Sequence, residues 1–192
     1  MTSELMLPVN QKYLEAMEWV ENVSRSLKTI SWIWGGFVTD VNVGRLLREH
    51  GDLDYLTQNL TLLKDGLAVV FSNHGWQVEY LGNGDIRFIK ESIKAHFGNV
   101  ESGETARWTH NGEKGSLVFP VSWLGTNTVN FMGIEVHVVA PELQYVLKEH
   151  PEILNPEWQP RENDLLEKQY LRDILVRKDV DVYLLHKQVV AV

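Results

Sequence analysis

Trp34 to Leu56 reads WGGFVTDVNVGRLLREHGDLDYL, a glycine pair followed after one helix-length by a D-x-D triplet. The apolar run Ile30 to Trp34 predicts a short buried strand. Gly35-Gly36 stops it, and Phe37 to Leu47 has the spacing of a helix. Asp52-Leu53-Asp54-Tyr55-Leu56-Thr57 alternates polar with apolar and predicts a second strand beginning at Asp52. Residues two apart on a strand point to the same side, so Asp52 and Asp54 project together while Leu53 packs behind them. A turn of two glycines lets the backbone come close to a triphosphate, and N–H groups at a helix start attract anions. Paired carboxylates suit Mg²⁺ or Mn²⁺, hard cations that keep substrate phosphates in their shell. Two such ions roughly 3.5–4 Å apart would stabilise both an attacking hydroxyl and a leaving pyrophosphate.

Outward from this stretch, Asn10 to Leu27 predicts an amphipathic helix with Tyr13, Met17, Val20 and Leu27 at helical spacing. Leu60 to Ser72 predicts another, its core stripe being Leu63, Leu67, Val70 and Phe71. Trp76–Leu81 and Ile86–Ile89 flank Gly82-Asn83-Gly84-Asp85, a hairpin turn because Asn and Gly tolerate positive φ. Ile93 to Glu101, Arg107 to Thr109, Ser116 to Phe119 and Asn130 to Val139 are expected strands. Pro141 opens a helix to about Glu149, and Glu162 to Val176 gives the last helix, with Leu165, Leu166, Tyr170 and Ile174 assigned to one face. The tail from Val180 fits a strand or a short helix.

The chain has 192 residues, enough for one domain: a core of about residues 10–140, a helical C-terminal portion of about 141–178 and an unassigned tail, 179–192. With 18 Lys plus Arg against 26 Asp plus Glu, the net charge of −8 disfavours the extended phosphate contacts of nucleic-acid binders. It leaves room for a small phosphate ligand on a local basic cluster. There is no cysteine, which excludes disulfides and Cys-type zinc sites and fits a reducing cytosol. Neither a secretion signal nor an apolar run of about 18 residues is visible, so a soluble, cytoplasmic protein is expected.

A lone D-x-D is weak evidence; its ordered company carries the reading. Gly35-Gly36, then Asp40, Gly44-Arg45, Arg48 with His50, and Asp52 with Asp54 resemble the signature of the polymerase-beta-like nucleotidyltransferases. Among them the resemblance is to the lincosamide and aminoglycoside-2''-type antibiotic nucleotidyltransferases. It continues more loosely through GSLVFPVSW at 115–123, VHVVAPELQ at 136–144 and PRENDLLEKQYLRDI from Pro160. What it implies is an α+β nucleotidyltransferase fold: a mixed central sheet flanked by helices, with a small helical C-terminal portion. The implied reaction moves a nucleoside monophosphate, usually AMP from ATP, onto a hydroxyl of a small molecule. Asp52 and Asp54 would ligate metal, Gly35 and Gly36 would meet the triphosphate, and Arg48 and Arg45 are the candidate phosphate partners.

One position departs from the family pattern. The third carboxylate, which the family carries on a later strand, aligns with Ala95 in IKAHFGNVE. A one-residue slip substitutes Lys94 or His96, and His96 is a candidate general base. Glu79 on a neighbouring strand is the alternative rescue. Ala95 also opens a second reading, a chain that keeps the fold and serves as a nucleotide-binding or interaction module without catalysis. Asp40 is expected to cap or pair within its helix, and His50 to be a turn residue. Trp32, Trp34, Trp76 and Trp123 are expected in the core, and Arg161 to Arg172 on a solvated helix face.

Overall fold

The computed structural model describes residues 8–81, 84–109, 116–154 and 156–191. Its elements are α1 (Pro8–Ser26), β1 (Ser31–Trp34), α2 (Phe37–Val43), β2 (Leu53–Gln58), α3 (Leu60–Asn73), β3 (Gln77–Tyr80), β4 (Ile86–Lys90) and β5 (Ile93–Ser102). They continue with β6 (Thr105–Thr109), β7 (Ser116–Pro120), β8 (Val129–Phe131), β9 (Ile134–Val136), α4 (Pro141–Glu149), α5 (Glu162–Arg177) and β10 (Val190–Ala191), with 3₁₀ turns at Val121–Leu124, Pro151–Ile153 and Val182–Gln188.

The sheet is mixed and helices flank it. β5 is the long central strand: β2 runs parallel along one side, while β4 and then β6 pair antiparallel with the other. β1 extends the sheet beyond β2, β3 beyond β4, and β7 and β10 beyond β6. A parallel β2–β5 pair needs a crossover, and α3 with the β3–β4 hairpin supplies it. The middle of that hairpin turn, Gly82-Asn83, lies outside the described residues.

Strand alternation sorts the two faces. On one, Tyr55 stacks on Phe97 with ring centroids 5.0 Å apart. Phe71 of α3 lies 3.6 Å from Phe88 and 4.4 Å from Trp19 of α1. Leu53, Tyr55, Phe71, Phe88, Ala95 and Phe97 are all fully buried here. On the opposite face Trp34 meets Trp108 edge-on at 4.5 Å, and Asp54 and His96 point the same way as that pair. Each buried Phe contributes about 1.5–3 kcal/mol over an exposed one, so the aromatic face dictates which residues are left to face the other side.

Several expected elements differ in extent. Gly44 adopts φ 80° and ends α2 at Val43 instead of Leu47; the Asp40 carboxylate then accepts the Leu47 N–H at 3.3 Å. The strand expected over Asn130–Val139 is a tight hairpin, because Met132 and Gly133 both take positive φ and reverse the chain between β8 and β9. The tail combines both expected forms: a 3₁₀ turn, then β10 paired to β7.

The expected face of α5 is wrong. Leu165 and Leu166 are 54% and 52% exposed, whereas Asp164, Glu167, Leu171 and Leu175 form the buried stripe. The acids are tolerated there because they are paired. Lys148 of α4 reaches Asp164 at 2.5 Å and Glu167 at 2.7 Å. Arg161 donates to Asp164 at 3.0 Å, and Arg48 to Glu167 at 2.7 Å.

Phe71→Ala removes the ring where α1, α3 and the sheet meet, and is expected to cost about 3–5 kcal/mol in urea denaturation. Burial alone would raise the Asp164 pKa, but hydrogen bonds from Arg161 and Lys148 outweigh it and hold the carboxyl well below the usual carboxylate range. A depressed folded pKa gives stability that is present above the unfolded value and lost as pH falls. Asp164→Asn is therefore expected to destabilise the protein at neutral pH, with the gap from wild type narrowing below about pH 4. A gap that stays constant on acidification contradicts this.

Candidate active site

Asp52 lies one residue before β2 and Asp54 within it, paired with Trp34 of β1. Both carboxylates, with Gly35, Gly36 and Arg48, line a cleft of about 440 Å³ between the sheet edge and the α4–α5 pair. The two acids are close enough that the Asp54 charge is the largest cause of a raised Asp52 pKa, burial adding to it and Arg161 and Arg48 opposing it. The expected side-by-side projection holds.

The glycine turn is built around this acid pair. Gly35 has φ +75°, and a Cβ there would sit 2.6 Å from Asp54 Oδ2. A Cβ on Gly36 would lie 2.3 Å from Arg48 Nη2 and 3.1 Å from His50 Nδ1. The Asp54 carboxylate and the Arg48 guanidinium thus pack directly against the glycine backbone, so close that a side chain at Gly35 or Gly36 would collide with them. The N–H of Gly35, expected to be open to an anion, instead donates to Gln144 Oε1 at 3.0 Å.

Arg48 is aimed by the loop that carries it. Asn10 of α1 donates to the Arg48 carbonyl at 2.9 Å. His50 is no solvent-facing turn residue: it is 4% exposed, bonds Asp40 Oδ2 at 2.8 Å and stacks on Phe37 at 3.7 Å. Asp40 is structural, as expected, but its partners are His50 and the loop instead of its own helix. Arg45 is exposed just past α2 and does not line the cleft.

The position aligned with the third carboxylate changes meaning here. β2 and β5 pair Leu53 with Ala95 and Asp54 with His96. Ala95 is fully buried on the aromatic face, so no side chain at 95 would reach the cleft, and its identity says nothing about catalysis. The β5 residues on the Asp54 side are Lys94, which lines the cleft, and His96. The His96 ring is held between two acids: Nδ1 lies 3.6 Å from Asp54 Oδ1 and Nε2 3.1 Å from Asp85 Oδ2. Burial opposes its charge, but the negative charges of Asp54 and of the hydrogen-bonded Asp85 prevail and raise its pKa to about 9. Glu79 offers no rescue. It is on β3, with β4 and β5 between it and β2, and pairs with Arg87 at 3.2 Å.

Trp32, Trp76 and Trp123 are core residues, 5–7% exposed, but Trp34 also lines the cleft. Most of the remaining cleft residues come from the C-terminal portion, where the looser resemblance of the VHVVAPELQ and PRENDLLEKQYLRDI stretches was the only family signal. Lys148 and Arg161 add positive charge opposite the acid pair, and Leu147, Leu154 and Trp158 give an apolar side. Trp158 carries the Arg161 guanidinium at 5.0 Å from its ring centroid. An i, i+3 acid pair on the α5 stripe, Asp164 and Glu167, was the available clue to buried cations nearby.

Among the described residues no group of three His, Cys, Asp or Glu is placed to hold a metal ion. The residues present nevertheless fit a divalent cation shared with a phosphate ligand: two carboxylates in mutual repulsion on the wall of an open cleft, beside a glycine turn and Arg48.

No curated protein sequence matches the chain. Solved structures do. The lincosamide antibiotic adenylyltransferase LnuA, in a lincomycin-bound crystal structure, is 18% identical, covers 81% of this chain and 94% of its own, and superposes with TM-score 0.62. The antibiotic-resistance factor ANT(2'')-Ia matches in solution at 16% identity, 94% and 91% coverage and TM-score 0.69. In complex with adenylyl-2''-tobramycin it matches at 16%, 93% and 95% coverage and TM-score 0.68. At these identities the likeness is one of fold. The sequence model of the aminoglycoside-2''-adenylyltransferase family matches residues 16–171, most of the chain, which therefore belongs to that family and to the nucleotidyltransferase class of enzymes.

Proposed function

We propose that this protein transfers a nucleoside monophosphate, AMP from ATP in the first instance, onto a hydroxyl of a small antibiotic-like molecule in the cytoplasm. The observation that carries this is the Asp52–Asp54 pair on the cleft wall under the Gly35-Gly36 turn. Asp52 and Asp54 are the proposed ligands of Mg²⁺ or Mn²⁺, which when bound offsets phosphate charge and polarises the reacting oxygens. Arg48 extends from its Glu167 anchor beside the glycine turn, where a triphosphate would lie. Lys94, Lys148 and Arg161 surround the same space with positive charge.

The acceptor hydroxyl attacks the α-phosphorus in line, the new P–O bond forms as the bond to the leaving pyrophosphate breaks, and the hydroxyl proton is released. The chain contributes mainly position and charge, as is general for phosphoryl transfer. His96 is not assigned as the base, because both ring nitrogens already face carboxylates. Arg45 and Glu79 are left out of the site for the reasons of position given above. The neighbours' bound compounds, lincomycin in one and adenylyl-2''-tobramycin in another, make hydroxylated antibiotics the first acceptors to try.

Pyrophosphate release from Mg²⁺-ATP is expected with at least one member of a lincosamide and aminoglycoside panel. Asp52→Asn and Asp54→Asn are each expected to lower kcat by about 10²-fold or more, the scale of losing a transition-state electrostatic contact, with the circular dichroism spectrum unchanged. Glu79→Gln should leave the rate alone; if it slowed turnover as much as the aspartate changes, the site would be misplaced. Gly35→Ala adds a methyl 2.6 Å from Asp54 Oδ2 at a positive-φ position. It is expected to destabilise the fold by about 1–3 kcal/mol and to abolish turnover, read by thermal melts and pyrophosphate assay together.

A further inference from the structure

We propose that the cleft takes a single divalent cation with its nucleotide, at Asp52 and Asp54, and that the His96 ring, fixed by Asp85, occupies the side where a second would bind. This rests on the reading of Asp52 and Asp54 as metal ligands. Two ions about 3.5–4 Å apart need a carboxylate to bridge them and a further oxygen donor on the far side of the second ion. In this sheet the strand that runs parallel to β2 and carries the residue beside Asp54 is β5. Of the β5 residues around position 95, Lys94 lines the cleft and His96 lies beside Asp54 on the same face of the sheet, and neither supplies an oxygen.

The geometry around Asp54 is already taken up. Oδ2 packs against Gly35, where a Cβ would lie 2.6 Å from it, while Oδ1 has His96 Nδ1 at 3.6 Å. The ring is not a loose side chain that can swing aside. Its other nitrogen bonds Asp85 Oδ2 at 3.1 Å, and Asp85 is 1% exposed. Turning the ring away would break this hydrogen bond to a buried carboxylate. Mg²⁺ prefers near-octahedral oxygen coordination at about 2.0–2.1 Å, so imidazole is a poor substitute for the missing carboxylate.

The test counts metal on the intact protein with a non-hydrolysable ATP analogue, using Mn²⁺ as the probe and electron paramagnetic resonance to read bound ion per bound nucleotide. One Mn²⁺ per nucleotide, without the spin coupling of a close Mn–Mn pair, is expected. Two coupled ions in the wild type overturn the inference while leaving Asp52 and Asp54 as ligands. A count of one that persists at unchanged Mn²⁺ affinity in Asp52→Asn/Asp54→Asn overturns the ligand assignment itself. Exchanging the nitrogen for oxygen donors, His96→Asp with Asp85→Asn to relieve charge, is expected to raise the count to two. A count that stays at one in that folded variant removes His96 from the role.

Discussion

The register between β2 and β5 is the constraint on which the rest of the molecule depends. Tyr55 on Phe97, backed by Phe71 and Phe88, binds the two strands to α3 and α1 through one aromatic cluster. A slip of a single residue would turn these rings to the cleft and bury Asp54 and His96 in their place, exchanging favourable apolar burial for desolvated charge. The hydrophobic face thus holds the acid pair at the cleft without any residue of that face touching it. The same alternation assigns Ala95 to the core and His96 to the site. In this family member the neighbour of Asp54 on the adjacent strand is a nitrogen ring and not a carboxylate.

Around the acid pair runs a chain of ion pairs that joins segments distant in sequence. Arg48 binds Glu167, Glu167 binds Lys148, Lys148 binds Asp164, and Asp164 binds Arg161. Each acid is 3–4% exposed, so the pairs with Lys148 are little screened by solvent, whereas Arg161 is exposed, and together the pairs tie α4 and α5 to the loop before β2. Arg48, Lys148 and Arg161 line the cleft together with Asp164, while Glu167 is not among its lining. A net charge of −8 is therefore compatible with a locally basic ligand cleft: much of the acid near the site is already committed to cations that face inward.

What could be read from the sequence was whatever local patterning controls. The α1 stripe of Tyr13, Met17 and Val20, the strand carrying Leu53 and Tyr55, and the projection of Asp52 with Asp54 all follow from periods of 3.6 and 2. What could not be read was set by tertiary partners. Leu165 and Leu166 look like a core face until Lys148 and Arg48 appear opposite Asp164 and Glu167. His50 looks like a turn residue until Asp40 and Phe37 enclose it. The alignment placed Ala95 at the site because a one-residue slip is invisible in a strand whose polar and apolar positions both have partners; the pairing of Leu53 with Ala95 resolves it. Gln144, which takes the Gly35 N–H, comes from more than a hundred residues away; the VHVVAPELQ stretch that it closes marks the region but not this contact.

The central claim is that Asp52 and Asp54 share one side of the cleft with the glycine turn in order to hold a metal–nucleotide complex there. A crystal structure with Mn²⁺ and a non-hydrolysable ATP analogue, collected at the manganese edge, examines it most directly. Anomalous density between the two carboxylates, with the triphosphate in the cleft beside Gly35, Gly36 and Arg48, is the predicted result. Manganese bound away from Asp52 and Asp54, or a nucleotide lodged outside that cleft, would contradict the account.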